Sequence, residues 1–193
     1  MSQVPASHDV GAETDRRAAH RPVTPWGRLR SVRTVARPPA EVYDLVSDVP
    51  AMASRSDEVA DAWWEQRADE AAVRVGDRFT ARNQNFGVSW ETTSTVTAAD
   101  PGRRFAYTVG DLADPTARWS FELAGPDDGP TEVLHTAELG PGPSMLTRVS
   151  PRHRDHAVRR RLAHLGEAMA STLAALDPFP GSPNRVDDPP PSQ

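Results

Sequence analysis

The stretch RDHAVRRRLAHLGEAMASTLAAL, residues 154–176, decides the fold. At 100° per residue, Val158, Leu162, Leu165, Met169, Leu173 and Leu176 share one stripe, the pattern of a helix that buries one side. His153, His156, Arg160, His164 and Glu167 fall on the far side and are expected to face water. Arg154 and Arg161 sit at the border of the stripe. There they either hold a ligand carboxylate at a cavity rim or lay their stems along the apolar surface and reach solvent. A helix of this length needs an apolar surface to cover, and the rest of the chain supplies one.

Upstream, residues 28–36 (RLRSVRTVA) alternate as a first strand. RPPAEVYDLVSD follows, with prolines suited to a helix start and Val42, Leu45 and Val46 at helical spacing. A second short helix is expected over 49–55. Strands are then expected at 58–66, 76–85, 88–100, 103–111, 117–123 and 131–139. Between them lie turn formers such as Pro101-Gly102, Asp114-Pro115 and the segment 140–143. Within these strands Phe79, Ala81 and Asn83 share a face, as do Trp90, Thr92, Ser94 and Val96. The same holds for Phe105, Tyr107 and Val109, for Trp119, Phe121 and Leu123, and for Val133, His135, Ala137 and Leu139. Alternation of this kind describes a meander of antiparallel strands with one buried face. The fold class is therefore α+β, with a curved antiparallel sheet wrapped around the long C-terminal helix and two short helices after the first strand.

This order of elements resembles the helix-grip fold of the START-like (SRPBCC) superfamily, within its polyketide cyclase/dehydrase-like branch. The residues that carry the resemblance are VRTVARPPAEVYDLVSDV at the front, then VGDRFTARNQ, the tryptophan of VSWETTSTV, and DPGRRFAYTVG. ARWSFEL, GPTEVLHT and the GPGPSMLT linker into the final helix continue it, so the likeness spans about residues 29–176. It implies a cavity between sheet and helix for an apolar small molecule. In place of the W-x-x-W-x-P-like segment common in the family, this chain has PAMASRSDEV, whose smaller side chains imply a wider or differently gated mouth.

The polar groups on the expected inner face are Asn83, Thr92, Ser94, Tyr107 and His135, set among Phe79, Trp90, Phe105, Trp119 and Phe121. With Val158, Leu162, Leu165 and Met169 of the helix, these are the candidate ligand-binding residues; an apolar cavity with a few convergent polar groups is the usual small-molecule site. His135 is the candidate for proton transfer, and Tyr107 the candidate donor to a carbonyl or enolate oxygen. The plainer reading is that these two satisfy each other or the backbone. No carboxylate shares the face of His135 to orient it. Trp63 and Trp64 point to opposite sides of their strand, so one of them lines the cavity, with Trp64 favoured.

Composition narrows the chemistry. The 193 residues contain no cysteine, and all 22 basic residues are arginine. Thiol nucleophiles, disulfides, thiolate zinc, Schiff-base lysines and a P-loop lysine are excluded. Net charge is −5, which favours no polyanion, and nucleic acid is not expected. A metal site is not expected, because His156 and His164 stand ~12 Å apart along a helix and His135 is alone on its strand. No cofactor is expected. The chain has neither an apolar signal segment nor a run of ~18 apolar residues. It is therefore expected to be soluble and cytoplasmic, without stable membrane insertion and with no oligomeric state implied. Residues 1–25 are expected to form a disordered N-terminal tail, 26–176 the START-like domain, and 177–193 a disordered Pro-rich tail, since six prolines in seventeen residues disfavour helix and sheet alike.

Three functions are compatible with these features. The first is binding of a hydrophobic or aromatic small molecule. The second is a polyketide cyclase or dehydratase-type enzyme using His135 and Tyr107, without metal or covalent cofactor. The third is a protein-interaction module using the arginine-rich helix start and the Pro-rich tail.

Overall fold

A computed structural model describes residues 26–65, 67, 72–85, 87–177 and 185–187. The chain runs β1 (Gly27–Val35), α1 (Pro39–Ser47), α2 (Val49–Ala53), β2 (Val59–Glu65), β3 (Arg78–Asn85), β4 (Val88–Asp100), β5 (Arg104–Gly110), β6 (Pro115–Ala124), β7 (Thr131–Leu139), α3 (Pro151–Ala175) and β8 (Arg185–Asp187). The strands form one sheet in the order β2-β3-β4-β5-β6-β7-β1-β8, and every pairing is antiparallel. The expected plan is therefore the observed one, a curved sheet gripping a long helix.

Local chemistry accounts for the punctuation. Pro39 opens α1, where its missing N–H costs nothing. The Asp48 side chain accepts from the Ala51 amide at 3.1 Å and starts α2. Gly102 takes φ +68° in the β4–β5 turn, a conformation glycine adopts without strain. Gly140 answers a different need. A Cβ there would stand 2.0 Å from the Pro115 carbonyl oxygen, so the chain leaving β7 could not pass the β5–β6 turn with any other residue.

The long helix begins at Pro151, three residues before the apolar stripe predicts. The chain after α3 departs further from expectation. Arg185–Asp187, inside the segment read as disordered tail, pairs with the outer edge of β1, with Ser31 opposite Val186. The physical reason is positional. These three residues lie in the longest proline-free interval of the tail, 184–188, and an edge is where a short strand next to prolines is tolerated. The remaining residues of the two tails, apart from Asp177, lie outside the described residues.

The core has two parts. Near the C-terminal end of α3, Leu173 and Leu176 pack with Val35, Val42, Val46, Val133, Phe105 and Phe121. Nearer its start, Val158, Leu165 and Met169 pack with Leu29, Ala137 and Leu139. Helix α3 lies chiefly over β1. The inner face of β4–β6 is less completely covered, and Trp90, Thr92, Tyr107 and Trp119 remain half-buried.

Candidate ligand-binding site

The inner face of the sheet carries a row of rings drawn from five strands, β2, β3, β5, β6 and β7. Trp64 meets Phe79 edge-on at 5.5 Å and Phe79 meets Tyr107 at 5.0 Å. Tyr107 stacks on Trp119 at 6.5 Å, and Trp119 lies 5.5 Å from His135. His135 stacks on Phe121 with centroids 4.0 Å apart and planes 13° from parallel. Strand alternation puts these side chains on one face, and register lines them up: Tyr107 opposes Trp119, and Phe121 opposes His135. Of the tryptophan pair, Trp64 turns inward and Trp63 outward, beneath the Arg82 guanidinium at 5.5 Å.

His135 and Tyr107 do not meet. Trp119 lies between them, and no hydrogen bond joins them among the described residues. Nor do they satisfy each other or the backbone, as the plainer reading expects. Neither ring nitrogen of His135, only 4% exposed, has a hydrogen-bond partner. Burial pushes its pKa down from 6.5 to about 3, so the imidazole is neutral at pH 7 and a weak base. Burial also raises the Tyr107 hydroxyl well above the ordinary phenol value, so it can donate a hydrogen bond but does not ionise.

The His135 shift has a stability consequence. Above pH 6.5 both the folded and the unfolded chain hold the ring neutral, and the full contribution is present. Between 6.5 and about 3 the unfolded chain takes up a proton that the folded chain refuses, so stability falls as pH drops, at ~1.4 kcal/mol per pH unit. Denaturant titrations of the wild type and His135→Phe from pH 7 to 4 are expected to show that slope reduced in the variant. Equal slopes would mean the imidazole is hydrated.

Two polar residues that the strand reading did not single out lie beside His135. Ser31 opposes it across β1 and β7, and Arg33 follows on the same face of β1. Ser31 Oγ and Arg33 Nε are likewise buried without a hydrogen-bond partner. The Arg33 guanidinium faces the Asp177 carboxylate at 3.5 Å, just past the end of α3. An unpartnered buried polar atom costs ~1–3 kcal/mol, so this concentration on two neighbouring strands is a local deficit. On β3 and β4, by contrast, Asn83 Nδ2 donates to the Ala81 carbonyl and to Thr92 Oγ1, each at 3.1 Å. Parity in RLRSVRTVA puts Ser31 and Arg33 on the face of Leu29 and Val35 without saying which face is buried. The intervening Val32 made the opposite face look equally apolar.

A polar clasp ties the helix to the far side of the sheet. Arg161 Nη1 donates to Glu58 Oε2 at 2.7 Å, and Arg161 Nη2 donates to Oε1. His164 Nε2 lies 2.7 Å from Asn85 Nδ2 and 3.5 Å from Glu58 Oε2. His164 is thus half-buried, not turned to water as the helical wheel predicts. The wheel places residues relative to one packing face, whereas the curled sheet reaches α3 from a second side through the end of β3. Arg161 holds a carboxylate, as its border position allows, but one belonging to this chain. Arg154 lies over the Trp26 ring at 5.2 Å. Glu58 carries no local signal, because its partner is distant in the chain.

Val158, Leu165 and Met169 are buried against β1 and β7, and Leu162 is half-buried beside them. Surface concavities of about 520 and 270 Å³ lie elsewhere, around Arg104 and Glu122 and around Tyr43 and Arg103. Their charged rims include none of the inner-face rings. Among the described residues no group of three or more metal-ligating side chains converges, and no helix is long and apolar enough to cross a membrane.

A curved antiparallel sheet gripping a C-terminal helix, with an aromatic inner face, defines the START-like class of helix-grip proteins. Within it, the chain belongs to the family described as polyketide cyclase / dehydrase and lipid transport, whose model matches residues 27–176. Among solved structures it is similar to a Polyketide_cyc-like protein from Corynebacterium glutamicum, at 27% identity and TM-score 0.56 over 80% of this chain and 91% of that one. An aromatase/cyclase from Streptomyces sp. R1128 superposes at 14% identity and TM-score 0.59, over 77% and 92% of the two chains. A START superfamily protein from Mycobacterium smegmatis does so at 13% identity and TM-score 0.52, over 74% and 94%. These last two likenesses concern the fold alone. No curated protein matches the chain.

Proposed function

We propose that the protein binds a hydrophobic, aromatic small molecule between the inner face of β3–β7 and α3. The observation that carries this reading is the ring row from Trp64 to His135, half-buried at Tyr107 and Trp119 and ending in unpartnered polar atoms. A solid core would bury such rings fully and pair such atoms. Flat apolar walls with a few polar groups at one end suit a planar ligand with a polar substituent.

Binding is favoured over catalysis by the state of His135. A general base works best with a pKa near the operating pH, and this one lies near 3 with no carboxylate to orient it. A cyclase or dehydratase role, suggested by the printed name of the Streptomyces aromatase/cyclase, would need its proton transfers from elsewhere.

The test is a native mass spectrum of protein purified without added ligand, followed by exposure to a panel of aromatic polyketides and lipids. Retention or uptake of an aromatic compound at one per chain is expected. Apo protein throughout the panel would overturn the reading.

A further inference from the structure

Four polar atoms on β1 and β7 lie within one corner of the interior: Ser31 Oγ, Arg33 Nε, and Nδ1 and Nε2 of His135. Ser31 and His135 are cross-strand partners, and Arg33 is two residues further along the same face. All three residues are more than nine-tenths buried, at 1%, 5% and 4% exposure. The corner lies at the seam between the two parts of the core, with Leu29 and Ala137 on one side and Val35 and Val133 on the other. It is also where the ring row ends, against Phe121 and Trp119.

The chemistry of these atoms is selective. Asp177 balances the charge of Arg33 at 3.5 Å, so the corner as a whole is neutral. A neutral imidazole offers one N–H and one bare nitrogen, the serine hydroxyl donates or accepts, and Arg33 Nε–H only donates. A hydroxyl group can meet this set, donating to the bare imidazole nitrogen while accepting from Ser31 or Arg33. A carboxylate can accept from these donors, but it leaves the bare imidazole nitrogen unpaired and brings a second buried negative charge beside Asp177, with only Arg33 to balance both. A hydrocarbon leaves every one of these atoms unpaired.

We propose that Ser31, Arg33 and His135 form an anchor for a neutral hydroxyl group on an aromatic ligand, selecting phenols over carboxylates and over the bare hydrocarbon. The proposal rests on the aromatic-binding reading above and assigns the polar end of that ligand.

NMR titrations of the full chain at pH 7 with naphthalene, 2-naphthol and 2-naphthoate separate the two. Naphthol is expected to bind ~10-fold more tightly than naphthalene, equivalent to one hydrogen-bonded anchor of about 1.4 kcal/mol, and naphthoate no more tightly than naphthalene. In Ser31→Ala and in His135→Phe the naphthol-to-naphthalene ratio is expected to fall toward one. Ser31→Ala removes only an oxygen, so the ratio can be read even if His135→Phe does not fold. Equal binding of naphthol and naphthalene, tightest binding of naphthoate, or a ratio that survives Ser31→Ala would overturn the anchor while leaving the aromatic-binding reading intact. If none of the three binds, that reading falls and the anchor with it.

Discussion

Arg33→Met is expected to lower the unfolding free energy by about 3–5 kcal/mol, the usual cost of breaking a buried ion pair from one side. The Arg33 and Asp177 side chains are 5% and 1% exposed and face each other at 3.5 Å. With the guanidinium gone, the Asp177 carboxylate would stay in the interior without its cation. Asp177 follows directly on Leu176, which caps α3 and is itself buried, so the carboxylate cannot reach water without lifting the last turn of the helix. Replacing both partners, as Arg33→Met with Asp177→Leu, is expected to recover much of the loss, because two apolar side chains of similar size leave no charge behind. Urea denaturation at pH 7 measures both. A single-variant loss below ~1 kcal/mol would mean that the carboxylate is solvated and the pair contributes little.

Phe121→Ala is expected to cost about 3–5 kcal/mol, as for other buried aromatic residues cut to alanine, and to change His135 as well. Phe121 is 3% exposed and covers one face of the imidazole at 4.0 Å. Its loss would open space beside a ring with two unpartnered nitrogens, and a polar lining draws in water. Hydration favours the imidazolium, so the His135 pKa is expected to rise from about 3 toward the ordinary 6.5. Thermal denaturation checks the first effect and an NMR pH titration of the imidazole the second. A destabilised variant with His135 unmoved would show that the core closes over the gap.

Much of the fold was legible in the chain because alternation and helical spacing are local properties. Phe105-Ala-Tyr-Thr-Val109 shows which side of its strand is buried, and Val158 to Leu176 show which side of α3 packs. The element order then restricts how one large helix can cover one curved sheet. The same local reasoning failed wherever two sides of an element meet different neighbours. His164 looked solvent-facing because a helical wheel knows one core, and the end of β3 approaches from another direction. In β1, Arg and Val occur on both faces, so parity alone could not say that Ser31 and Arg33 point inward.

The sequence by itself determined the class of fold, the inner-face rings, and the absence of thiol and lysine chemistry, since each depends on residue type and period along a short stretch. Only the tertiary structure decided which polar groups meet. It placed Ser31 against His135, Arg33 against Asp177 and Glu58 against Arg161, put Trp119 between His135 and Tyr107, and paired Arg185–Asp187 with the edge of β1. Such contacts join residues far apart in the chain. Their existence depends on strand register and helix position, which no local pattern encodes.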